Sequence, residues 1–195
     1  MRTMAPEGSI GRLLREVHSL EEAKDLIQGS RREVWLWGSV LADHIAFLSP
    51  FIERAVLRGL VVKVLLIKPA PSGVMTMAVL RAGHSDDAEL QHALEDNIFR
   101  LRQVARRANA HNGRLEVRVV DYLAPYAAFA YDPDLPTGRM DVRIAGLQIE
   151  LDNRPTFTVT AAEDGRWYQH FRDQFKCAWE LGEAVIPDRG DALTG

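Results

Sequence analysis

The sequence predicts an α/β protein: a mixed sheet of about six strands with helices on both faces. Three observations carry that expectation. Two unbroken apolar runs, Val34–Trp37 and Val61–Ile67, flank a segment whose apolar residues fall at helical spacing. That is the pattern of strands covered on both faces and joined by a crossover helix. Strand-like segments then follow one another from residue 115 onward without intervening helical patterns, and two long helical patterns, near 86–109 and 166–183, supply covering layers. A chain of 195 residues suffices for one core and is short for two.

The elements are justified in turn. Residues 1–9 hold Pro6 and Gly8 and are expected to lack fixed structure. From Ile10 to Ile27, Leu13, Leu14, Val17, Leu20, Ala23 and Ile27 keep helical spacing. Ser19 followed by Glu22 is a capping box, so the segment breaks near Ser19, and Gly29 closes it. The helix after Trp37 runs from about Ala42 to Arg58 with Ile45, Leu48, Ile52, Ala55 and Val56 inward. Pro50 should kink it or start a new helix capped by Ser49. Residues 69–73 read as a loop, and Ser85 as the cap of a helix reaching about Asn109. That helix is acidic in its first turns and arginine-rich in its last, which complements its dipole. Asn112–Gly113 turns into the strand Leu115–Val120, and Tyr126–Tyr131, Arg139–Ala145 and Thr156–Thr160 complete the sheet. In Arg139–Ala145 the alternation of Met140, Val142 and Ile144 with Arg139, Asp141 and Arg143 predicts one wet face. A closing helix from about Arg166 to Glu183 turns Trp167, Phe171, Phe175, Ala178 and Trp179 inward, and residues 187–195 read as a flexible tail. One domain over 10–186 follows.

Composition excludes more than it assigns. Apolar content of 47% and charged content of 26% are ordinary for a globular protein, and a net charge of −3 gives no global basis for binding nucleic acid. A single cysteine, Cys177, permits neither an intrachain disulfide nor a cysteine-based zinc site. With no apolar run long enough for a signal peptide or a membrane span, the expectation is a cytoplasmic chain. Six histidines, at 18, 44, 84, 92, 111 and 170, include no pair three or four apart, so neither a metal nor another cofactor is expected.

The candidate site lies where ligands favour open α/β sheets, beyond the carboxyl ends of the parallel strands. Trp37, Ser39, Lys68, Asp121 and Tyr122 fall there, with Tyr126 and His44 completing the set. Aromatic rings beside a few polar groups suit a small ligand. Trp37–Gly38–Ser39–Val40–Leu41 lacks the Gly-x-Ser-x-Gly of a nucleophile elbow, so Ser39 reads as a turn or cap residue. No dinucleotide or Walker motif occurs.

The order of elements resembles one half of the phospholipase D superfamily. Glu33-Val-Trp-Leu-Trp-Gly-Ser39 and Leu57-Arg-Gly-Leu-Val-Val-Lys-Val-Leu-Leu66 carry the likeness. Phe171, Phe175, Trp179 and Glu180 resemble the final helix of such domains in bacterial transcription regulators. The resemblance implies a His-x-Lys motif followed by Asp, in which histidine attacks phosphorus and lysine neutralises phosphate oxygens. Aligning Asp132 with that aspartate puts Pro125 and Ala127 at the histidine and lysine positions. No His-x-Lys occurs anywhere in the chain. The expected function is a non-catalytic, regulatory module that binds a small ligand or a protein partner. Two alternatives stand beside it. One is a diverged phosphodiesterase or nuclease-like enzyme using Lys68, Asp121 and His44. The other is an interaction module that forms a homodimer.

Overall fold

The computed structural model describes residues 19–82, 86–109, 112–148 and 154–186. In chain order these form α1 (Leu20–Gly29), β1 (Glu33–Trp37), α2 (Ala42–Leu57), β2 (Val61–Ile67), α3 (Gly73–Ala82) and α4 (Asp87–Ala108). There follow β3 (Arg114–Val120), β4 (Tyr126–Tyr131), β5 (Arg139–Ile144), β6 (Thr156–Thr160), α5 (Gly165–Leu181) and β7 (Glu183–Ile186). The strands make one seven-stranded sheet in the order β6-β5-β4-β1-β2-β3-β7. β1, β2 and β3 are parallel, and all other pairings are antiparallel. β1 is therefore the seam, parallel to β2 on one side and antiparallel to β4 on the other.

The two faces of the sheet carry different cores. α1 to α4 cover one face with an aliphatic layer that includes Ile27, Ile45, Leu48, Ile52, Leu94 and Leu101. α5 alone covers the other with aromatic rings: Phe175 stacks on Trp35 at 4.4 Å, and Trp179 stacks on Phe175. Alternate residues of each strand feed the two layers, so β1 sends Val34 and Leu36 one way and Trp35 and Trp37 the other.

Local chemistry explains the departures from expectation. Ser19 caps α1, accepting from the Glu22 N–H; residues 10–18 lie outside the described part, as do 1–9 and 187–195. Pro50 lies inside α2 without ending it. The Ala46 carbonyl, which its missing N–H would have engaged, instead accepts from Ser49 Oγ at 3.4 Å, on the exposed side of the helix. After the loop at residues 69–72 the chain forms α3, not foreseen, with Met75, Ala78 and Val79 buried against the aliphatic core. Ser85 is outside the described residues, and the cap of α4 is Asp86, whose carboxylate accepts from the Glu89 N–H. The seventh strand, β7, was hidden because its four residues follow Gly182 directly at the end of α5. The face of β5 expected to be wet is covered instead. Asp141 is buried there, accepting from Arg139 Nε at 3.0 Å and from Thr158 Oγ1 at 2.8 Å, and Arg139 reaches Glu22 on α1.

Asp132 fixes the start of the seam. It follows β4 in a left-handed conformation, φ +49°. Its carboxylate accepts from the backbone N–H groups of Arg31, Arg32 and Glu33, at 2.7–3.1 Å, and its own N–H donates to the Glu33 carbonyl. Charge-assisted bonds to backbone amides are among the stronger kinds. Asp132→Ala is expected to cost about 3 kcal/mol in urea unfolding, because it strands these amides; Asp132→Asn, which keeps one oxygen, should lose less. A second probe is Gly113, where a Cβ would overlap the Val56 and Leu60 carbonyl oxygens. Gly113→Ala should destabilise by about 2 kcal/mol or more in the same measurement.

Candidate functional site

At the carboxyl end of the parallel strands the chain encloses a crevice lined by Trp37, Gly38, Ser39, Ile67, Arg81, Tyr122, Ala124, Tyr126, Ala127, Arg143, Ala145 and Arg154. Its interior is small, about 20 Å³, or room for roughly one water. Of the residues expected here, the structure brings together Trp37, Ser39, Tyr122 and Tyr126. Lys68 lies apart and donates to the Glu183 carboxylate at 2.7 and 2.9 Å. Asp121 accepts from Ser72 Oγ and is not among the lining residues. His44 occupies an adjoining cavity.

The floor is built by the β1–α2 turn. The Gly38 N–H donates to the Leu65 carbonyl and the Ile67 N–H to the Ser39 carbonyl, which laces the turn to β2. Buried Asn97 on α4 donates from Nδ2 to the Val40 carbonyl at 2.9 Å and holds the turn from behind. Helix α2 starts after Leu41, which has φ +56° and no side-chain cap, so Ser39 is a turn residue. The aromatic wall is a chain of edge-on contacts, Trp37 to Tyr126 at 5.3 Å and Tyr126 to Phe171 at 5.2 Å. The Tyr126 hydroxyl is buried without a hydrogen-bond partner among the described residues. Burial, and secondarily Tyr122, push its ionisation well above the usual tyrosine range.

Three arginines complete the lining, none of them foreseen. Arg81, on α3, donates to the Ala124 carbonyl and has its pKa lowered by burial. Arg154, just before β6, is lowered by burial and then by the positive charge of Arg81. Both remain cationic near neutrality. Arg143 lies directly across the β4–β5 ladder from Ala127. The described lining residues include no carboxylate. The Pro125 carbonyl accepts from the Ala145 N–H, and the residue immediately precedes β4.

Arg143 also lines the adjoining cavity, between α1, α2 and the β4–β6 ladder, together with Ser19, His44, Tyr131, Asp141 and Thr156. Arg143 Nη1 donates to His44 Nε2 at 3.3 Å. A guanidinium can only donate, so the neutral imidazole carries its proton on Nδ1. Burial, then Arg143, hold His44 down to about 4 from its usual value near 6.5. The unfolded chain binds that proton near 6.5, so the contribution of neutral His44 is complete above that pH and fades as pH falls towards 4. It amounts to about 3 kcal/mol. His44→Gln, which retains an acceptor for Arg143, should show a shallower loss of urea stability between pH 6.5 and 4 than the parent. Equal slopes would count against a neutral, buried His44.

No family model matches the chain, and no curated protein matches it in sequence. Solved structures do. TrmBL2, an archaeal chromatin protein whose structure shows a novel mode of DNA binding, is similar with a TM-score of 0.54 and 19% identity, over 89% of this chain and 54% of that one. The phosphatidylserine synthase of Haemophilus influenzae Rd KW20 is similar with a TM-score of 0.53 and 12% identity, over 85% and 36% respectively. The chain spans about half the length of the first and about a third of the second. The shared feature is the fold, which is phospholipase-D-like.

Proposed function

We propose that this phospholipase-D-like chain is a non-catalytic regulatory module that binds a small anion-bearing ligand at the crevice of Arg81, Arg143 and Arg154. One observation carries the reading: three guanidiniums line a crevice that Ala127 also lines, and aligning Asp132 with the family aspartate puts Pro125 and Ala127 at the histidine and lysine positions. Proline offers no nucleophile and alanine no charge, so the family's covalent phosphohistidine cannot form at residue 125. Positive charge is nonetheless supplied by Arg143, across the ladder from Ala127. Arg81 and Arg154 are near enough for the charge of one to lower the pKa of the other, and an anion at the crevice is a group that accepts charge-assisted hydrogen bonds from guanidiniums. Ser39 and the Tyr126 hydroxyl are the neutral groups at hand.

Inorganic phosphate titrated calorimetrically into the protein is expected to bind saturably. Arg154→Ala and Arg81→Ala should each weaken it about tenfold, the loss of one charge-assisted contact. Bis(4-nitrophenyl) phosphate should not be hydrolysed above background. Turnover that Arg143→Ala abolishes would replace this reading with that of a diverged phosphodiesterase.

A further inference from the structure

We infer that copies of this chain associate head to tail, the cationic groove at the amino end of the parallel strands receiving the acidic outward face of α4 from a second copy. The groove is open, about 560 Å³, and is lined in part by Arg31, Arg32, Glu33, Lys63, Arg114 and Asp134. Its carboxylates are already engaged. Asp132 is taken up by three backbone amides, Glu33 pairs with Lys63 at 2.6 Å, and Asp134 receives Lys176 at 2.9 Å. Arg114 pairs with Glu116. The exposed guanidiniums of Arg31 and Arg32 make no hydrogen bond or ion pair among the described residues, so two adjacent positive charges go unanswered within the fold. The answering charge lies on the chain's own surface. Glu89, Glu95 and Asp96 are exposed on the outward side of α4, and Asp96 makes no hydrogen bond or ion pair among the described residues. Phe99, 60% exposed, stands about one turn further along and adds the apolar contact that surface ion pairs alone lack. The two patches cannot meet within one molecule. Glu33, Val61 and Arg114 stand abreast on the ladders, on the same side as Trp35 and therefore on the face that α5 covers, whereas α4 packs on the other face. Asp96 is also about 20 Å along α4 from Asn109, where the helix is tied to β3. Patches on opposite faces make a heterologous contact rather than a two-fold one, so the product is a ring or an open string. A nucleic-acid backbone fits the groove less well, since its unbroken phosphates would meet Glu33 and Asp134. The contact uses no residue that lines the crevice.

Sedimentation velocity on the full chain is the test. The weight-average sedimentation coefficient should rise with protein concentration at low salt, and the association should weaken severalfold at about 0.5 M salt, where charges act over only about 4 Å. Arg31→Glu with Arg32→Glu, and separately Glu95→Lys with Asp96→Lys, should each weaken self-association by about tenfold or more, since each sets like charge against like. An equimolar mixture of the two double variants should associate as the parent does, because each then offers the charge the other lacks. That recovery also separates a lost contact from a damaged fold. A parent that stays monomeric across the concentration series, or a mixture as weak as its components, would overturn head-to-tail association. Binding of a duplex oligonucleotide that Arg31→Glu and Arg32→Glu abolish, with no self-association of the parent, would reassign the groove to a polyanion and overturn the second copy as its occupant.

Discussion

The carboxylate of Asp132 is the contact on which the arrangement turns. β1 must accept a parallel neighbour on one side and an antiparallel one on the other, and the two ladders have different hydrogen-bond patterns. The chain entering β1 therefore presents amides that neither ladder fully uses. Asp132 collects three of them at once, from a left-handed turn that places its side chain beneath the strand. With β1 pinned at its start, the register carries through five residues to Trp37 and Gly38 at the opposite end. Asp132 thus serves the frame, at the opposite end of the strand from the crevice.

The seam divides the labour of the two cores. Aliphatic packing on the side of α1 to α4 supplies bulk and fixes the helices, with α2 and α4 in close contact behind the β1–α2 turn. The aromatic core under α5 is smaller and more directional, since stacked and edge-on rings tolerate little rotation. Two of its outer members, Trp37 and Tyr126, also line the crevice, and Tyr126 packs edge-on against Phe171. The side chains that order α5 on the sheet are therefore continuous with those that line the crevice.

Much of this frame was legible in the residues. Unbroken apolar runs gave β1 and β2, alternation gave β5, the Ser19–Glu22 pair gave a helix start, and the missing His-x-Lys was plain. Trp37, Ser39, Tyr122 and Tyr126 were expected near one another because position at a strand end is a one-dimensional property. The arginines were not, each for a physical reason. Arg81 lies on α3, a helix whose apolar residues follow a loop of prolines and small residues. Arg143 belonged to a face read as solvated, because alternation cannot show that α1 and Glu22 come back over it. Arg154 precedes an edge strand and reaches the crevice only through sheet order, in which β5 and β6 fold back beside β4. Lys68 was placed correctly along the sequence but turns towards β7, a strand absent from the expected topology.

Arg143 touches two compartments at once, the crevice at its mouth and the buried imidazole of His44 behind it. Its positive charge is one of the two causes that keep His44 neutral. If the proposed anion binds in the crevice, its charge offsets that field and eases protonation of His44, and linkage makes the effect reciprocal. A single side chain would then couple the crevice to the imidazole behind it.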